Sequence, residues 1–251
     1  MNFQHPVFAP YRDEIAALAL ARHFPSLHAL SELAEQRGLV NARELPLRYS
    51  KPARPLSARD YEQHILDTGC IPTRTDSWHD VMNALVWLRF PQFKAALNAA
   101  HGEAIAAEDG TQRGRRRDAL TVLDESGVWV WTTDPRLTQM LSQRRWRELF
   151  WEHRESASTQ MQWVVVGHAL LEKMLKPYPA ITGKCLLLPT TKLVPGQADL
   201  AQLQQQAVAE LNALGAPDQL TPLPLLGIPG WDSTNGHAAY YDNQAVFRTS
   251  A

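Results

Sequence analysis

The stretch RDALTVLDESGVWVWT (117–132) decides how the rest of the chain is read. Two runs that read as β-rich, 119–124 and 128–132, flank Glu125-Ser126-Gly127, so the spacing predicts a β-hairpin. Alternation along the first run puts Asp118, Leu120, Val122 and Asp124 on one face, with Arg117, Ala119, Thr121 and Leu123 on the other. Helical patterns surround this hairpin. Helices are expected over 78–90, halted at Pro91, and over 91–108, and Pro135 opens another to about 151. The run 161–176 is apolar at helical spacing and stops at Pro177. An amphipathic helix over 199–214 places Leu200, Leu203, Ala207, Leu211 and Leu214 on one face. Earlier in the chain a helix spans 13–23, Ser26 caps another that ends at Gly38, and Ser57-x-x-Asp60 opens one that stops at Gly69. Residues 184–188 read as a short buried strand, and 238–241 with 245–248 as a second hairpin about Asp242-Asn243. The expected fold is one α+β domain over 1–251, predominantly helical, with a small, mainly antiparallel sheet built from hairpins.

Composition narrows the class further. The 251 residues are 45% hydrophobic and 20% charged with a formal charge of -1, which excludes disordered, collagenous and coiled-coil chains. No apolar run approaches the ~20 residues of a membrane span. The N-terminus has no basic segment followed by an apolar one, and the two cysteines, Cys70 and Cys185, form no disulfide framework. A cytoplasmic protein without membrane association is expected, its oligomeric state left open. Walker A, G-x-G-x-x-G and G-x-S-x-G motifs are absent, which disfavours the common nucleotide-binding and serine-hydrolase architectures.

Four segments carry a likeness: WHDVMNALVWLRFP (78–91), RDALTVLDESG (117–127), VGHALLEKML (166–175) and GIPGW (227–231). In content and order they resemble the proteobacterial domain-of-unknown-function family 3025 from about residue 45 onward. Residues 1–44 then form a helical N-terminal extension to a family-like core over 45–251. The resemblance implies a soluble bacterial protein and carries no assigned activity.

Function must therefore be sought in polar residues that interrupt apolar segments. His79 and Asn83 are i and i+4 on one helix face, while Asp80 suits the first turn, where it complements the helix dipole, and Ser77-x-x-Asp80 approximates a capping box. His168 and Glu172 repeat the i, i+4 spacing at the edge of an apolar stripe. A carboxylate beside a partly buried imidazole fixes its tautomer, as a general base or a metal ligand requires; it also describes a structural pair. Lys173 lies about 100° round the helix, open to solvent or to an anion. Asp124, at a strand end, is placed as catalytic acids often are, whereas Glu125 has turn composition.

Two arginine groups, 112–117 and 144–147, give residues 110–154 a net charge of +3. They are solvated faces or phosphate sites, with Arg117 the residue expected to hold an anionic group. Trp231 is expected in a Gly/Pro-flanked loop that walls a pocket or plugs the core. Together His79, Asp124, His168 and Glu172 are the expected catalytic set, and Asn83, Arg117, Lys173 and Trp231 the substrate-binding set. The chemistry they suggest is hydrolysis of a small polar or phosphorylated substrate, with a divalent metal possible as cofactor. The alternative is a non-catalytic module that binds nucleic acid or an acidic partner through the arginine loop.

Overall fold

A computed structural model describes residues 3–108, 113–188 and 199–249 of the chain. Gln112, at the start of the first arginine group, lies outside them. The helices are α1 (Arg12–Ala17), α2 (Leu27–Gln36), α3 (Ala58–Thr68), α4 (Trp78–Arg89), α5 (Pro91–Ala106), α6 (Arg115–Ser126), α7 (Pro135–Ser142), α8 (Arg154–Gln160), α9 (His168–Lys173) and α10 (Leu200–Ala213). The strands are β1 (Arg48–Ser50), β2 (Cys70–Pro72), β3 (Gly127–Thr132), β4 (Met161–Val165), β5 (Thr182–Leu187) and β6 (Thr221–Pro224). The fold is α+β and mostly helical, as expected.

The sheet is built differently. Strands β1 and β2 pair in parallel as a separate ribbon, and the larger sheet runs β4-β3-β5-β6. In it, β3 is antiparallel to β4 and parallel to β5, and β5 is antiparallel to β6. It is a mixed sheet, and neither expected hairpin is present. Residues 119–124 belong to α6, because Ala119, Leu120 and Leu123 form a buried stripe at helical spacing against α5 and α9. The β-branched residues Thr121 and Val122 remain partly exposed on its flank. Packing of a whole face outweighs a propensity scale that spans only about 1 kcal/mol. The second expected hairpin is a 3₁₀ turn, Ala238–Asp242, followed by irregular chain.

The long helix expected over 161–176 is divided. Met161–Val165 pairs along its whole length with β3, and the Tyr11 hydroxyl donates to the Val165 carbonyl at 2.6 Å. A helix begins only after Gly167. That glycine is required by space: a Cβ there would lie 2.4 Å from the Gly127 nitrogen and 2.5 Å from the Ser126 Cα, both backbone atoms. The end of α6 and the start of α9 are thereby pressed together.

Several local signals act as read. Ser26, Ser57 and Ser77 cap α2, α3 and α4 through their hydroxyls. Residues of the first 44, including Phe8, Tyr11, Leu20 and Leu30, enter the same buried cluster as the sheet. Glu14 is fully buried there and pairs with Arg37 at 2.6 Å, and the same guanidinium donates to the Leu88 carbonyl. Both cysteines are free and buried, and among the described residues no helix is long and apolar enough to cross a membrane.

Gly38 and Gly167 separate two kinds of glycine requirement. Gly38 sits at φ +60° with nothing within 4 Å of the place a Cβ would take, so Gly38→Ala should cost about 1 kcal/mol, all of it backbone strain. Gly167→Ala should cost about 3 kcal/mol, because the backbone it would strike cannot yield cheaply. Urea unfolding of the two variants measures the difference, and equal losses would contradict the packing described.

Candidate metal centre

The capped N-terminus of α4 places His79 in its first turn, facing α9 across the interface between the two helices. From α9, the first residue, His168, and the residue one turn on, Glu172, both reach His79. Glu172 Oε2 lies 3.1 Å from His79 Nδ1, and His168 Nε2 lies 3.1 Å from His79 Nε2. The rings meet edge to face at 4.5 Å between centroids. The i, i+4 spacing of His168 and Glu172 therefore brackets a third residue instead of joining the two to each other.

The last turn of α6 supplies the other carboxylates. Asp124 Oδ2 stands 3.7 Å from His168 Nδ1, an electrostatic contact too long for a hydrogen bond, and Glu125 Oε1 stands 3.6 Å from His168 Nε2. Asp124 Oδ1 accepts from Lys94 Nζ on α5 at 2.5 Å, and both side chains of that pair are largely buried. Burial disfavours the Asp124 anion, but Lys94 and His168 outweigh it and hold the carboxyl well below the usual carboxylate range.

Tautomers follow from these partners. In neutral His79, Nδ1 carries its proton toward Glu172, which leaves a lone pair on Nε2. In neutral His168 a proton on Nδ1 faces Asp124 across 3.7 Å and leaves Nε2 bare, whereas a proton on Nε2 donates to His79 Nε2. In the first of these tautomers two lone pairs face each other at 3.1 Å. That arrangement aims two donor nitrogens at one point, which a metal ion between them would stabilise. For metal–nitrogen bonds of about 2.0–2.1 Å at angles of about 90–109°, two ligand nitrogens stand about 2.8–3.4 Å apart. With Glu125, the ligand atoms of His79 and His168 all fall within 4.8 Å of one another. Two imidazoles and one carboxylate are a donor set for zinc or for a metal of the manganese-to-iron group.

The cluster opens into a cavity of about 680 Å³, within the range of small-molecule sites. Asn83 lines it one turn beyond His79; its amide donates to the Tyr61 hydroxyl at 2.8 Å, while its Oδ1 is buried without a protein partner. Arg117 also lines it, but is buried and paired with Glu108 at 3.0 Å, so its charge is already met. Lys51 and Arg54, on the segment between β1 and α3, bring cations to the same cavity. Lys173 is exposed and does not line the cavity, and nor does Trp231. Trp231 packs instead on the core and accepts from His5 Nε2 at 2.7 Å through its carbonyl.

Sequence reasoning weighs Glu125 as a turn residue and passes over Glu62, Lys94 and His101. Burial, with Asp124 nearby, pushes the Glu62 carboxyl up to about 7, against the pull of Lys94 and of Asn98, which donates to it at 2.7 Å. Burial pushes the His101 imidazole down to about 4. A signal existed: Lys94, Asn98 and His101 interrupt an alanine-rich helix at i, i+4 and i+7, one face of α5.

The second arginine group and the remainder of the first are largely neutralised. Arg113 pairs with Asp118, Arg115 with Asp218, Arg145 with Glu148, and Arg147 with Glu152 and Asp242.

A depressed histidine pKa has a stability signature. The unfolded chain protonates His101 below about 6.5 while the folded one resists until about 4, so folding stability contributed by neutral His101 is lost as pH falls through that window. Between pH 7 and 5 the loss should be about 2 kcal/mol. His101→Gln should lack that increment in urea titrations at the two pH values; an unchanged loss would show that His101 titrates normally.

Residues 49–251 match the model of a family described as "Protein of unknown function (DUF3025)". No curated protein and no solved structure matches the chain.

Proposed function

From the premise that the chain belongs to the DUF3025 family, whose description names no activity, we propose that it is a metal-dependent hydrolase of a small polar or phosphorylated substrate. One observation carries the reading: two imidazole Nε2 atoms 3.1 Å apart, each ring turned by its other nitrogen toward a carboxylate. Carboxylate–histidine pairs of this kind fix the tautomer that a metal needs and raise the basicity of the ligand.

In this reading His79, His168 and Glu125 are the ligands, Glu172 and Asp124 orient the imidazoles, and Lys94 keeps Asp124 ionised. A bound divalent metal would supply an acidified water and an electrophile for a phosphoryl or carbonyl oxygen. Glu62, a cavity carboxyl pushed up to about 7, suits proton exchange with a leaving group at neutral pH. Asn83 offers an unpartnered buried oxygen to a donor on the substrate, and Lys51 and Arg54 meet an anionic group at the mouth. Nucleic-acid binding through the arginine groups is the weaker reading, because most of those guanidiniums are already paired with carboxylates.

Zinc and manganese titrated into chelator-treated protein should each be tested by calorimetry, with one ion bound per chain for at least one of them. His79→Ala and His168→Ala should abolish that binding, and Glu172→Gln should weaken it about 10–100-fold. Hydrolysis of p-nitrophenyl phosphate or p-nitrophenyl acetate should return only with the metal. Absence of binding, or binding indifferent to both histidines, would remove the metal centre. Binding without hydrolysis of either probe would leave the centre and overturn the hydrolase assignment.

A further inference from the structure

A second concavity, of about 460 Å³, lies elsewhere on the molecule and shares no residue with the first. Its floor is one face of the β5–β6 pair. Thr182 and Lys184 project on the same side of β5, opposite Pro224 and Pro222 of β6 in register. The intervening Gly183 turns the other way, against Val128 and Leu170, the latter on α9. The second concavity therefore lies across the sheet from the helix that carries His168.

Three separate segments each deliver a cation to this floor: Lys184 from β5, Arg144 from the turn after α7, and Arg248 from the C-terminal segment. The arrangement is held in place. The Trp146 indole donates to the Arg248 carbonyl at 2.8 Å, which ties the C-terminal segment to the turn, and Arg144 takes the left-handed conformation, φ +55°, that closes the end of α7. Among the described residues none of the three cations has an ion-pair partner, and no carboxylate lines the concavity. The nearby acids are committed elsewhere, Glu148 to Arg145 and Asp242 to Arg147. Three basic residues lining one concavity without a counter-charge give it a positive potential that favours an anion.

We infer that this concavity is a binding site for a small, multiply charged phosphate compound, held by Arg144, Lys184 and Arg248. Guanidinium forks and an ammonium point charge are the groups that recognise phosphate oxygens, and Pro222, Pro224 and Val246 give the remainder of the ligand an apolar surface. The site is independent of the metal-centre reading. Its volume exceeds that of bare phosphate and suits a phosphorylated metabolite in preference to a nucleic-acid strand, which needs a groove open at both ends.

Pyrophosphate titrated calorimetrically into the full chain at low salt, without added metal and with a chelator present, tests the site. Binding is expected, with Lys184→Gln and Arg144→Gln each weakening it by at least about tenfold. The same variants, free of ligand, should unfold at temperatures no lower than the parent, because among the described residues neither charge has an ion-pair partner to lose; that readout separates lost binding from lost folding. Arg115→Gln, at an exposed guanidinium paired with Asp218 outside both concavities, should leave pyrophosphate binding unchanged. Binding that survives both Lys184→Gln and Arg144→Gln, or no binding to the parent, overturns the inference. A single-stranded 12-mer that binds through the same residues more tightly than pyrophosphate would overturn the small-molecule assignment in favour of nucleic acid.

Discussion

A carboxylate held between an ammonium and an imidazole organises the centre of this protein. Asp124 meets Lys94 at 2.5 Å on one side and His168 at 3.7 Å on the other, and the three residues come from α6, α5 and α9. Taking two charges out of water costs several kcal/mol per ion, which a buried pair recovers only with good geometry and further partners. The Lys94 ammonium adds one, lying 5.4 Å from the centre of the Trp87 ring. Losing either member would strand the other charge, at about 3–5 kcal/mol. A core of alkyl side chains would pack these helices at least as well. What the ion pair adds is a fixed anion beneath one particular imidazole nitrogen.

That fixed anion connects architecture to chemistry. The close approach of Gly167 to Ser126 and Gly127 sets the distance between α6 and α9, and thereby the distance from Asp124 and Glu125 to His168. The serine-capped start of α4 then presents His79 from the opposite side. Each imidazole is oriented from behind by a carboxylate, and the two free nitrogens converge at the base of the cavity. The surrounding polar groups are burdened in the same way: the oxygens of Asn83 and Asn98 and a nitrogen of His101 are buried without a protein partner. Buried polar atoms of this kind are normally satisfied, and two of these, on Asn83 and His101, line the cavity.

How much of this is legible in the sequence depends on whether the signal is local. The caps at Ser57 and Ser77, the stop at Gly69, and the shared face of His79 and Asn83 are readable because each depends on residues within a few positions. The region of α6 reads wrongly as a hairpin because 119–124 carries β-branched residues and ends in good turn residues, while the buried stripe of Ala119, Leu120 and Leu123 acquires meaning only against α5 and α9. The spacing of His168 and Glu172 correctly places both on one face, yet their common partner, His79, lies 89 residues away in sequence from His168. Arg117 looks like an anion binder in isolation, but Glu108 answers its charge. Conversely, Arg144 has no individual signal among its arginine neighbours. It stands out only because Arg145 and Arg147 find acids and it does not.

The central claim is that the two facing imidazole nitrogens are built to share a metal ion. Anomalous X-ray scattering from crystals soaked in zinc, measured on both sides of the zinc absorption edge, tests it most directly. The expected result is one strong peak about 2.0–2.1 Å from both Nε2 atoms, with the Glu125 carboxylate drawn in as a third ligand. Well-diffracting soaked crystals with no peak at that position, and with the two nitrogens still in contact, would mean that the pair shares a proton and that the metal-centre account is wrong.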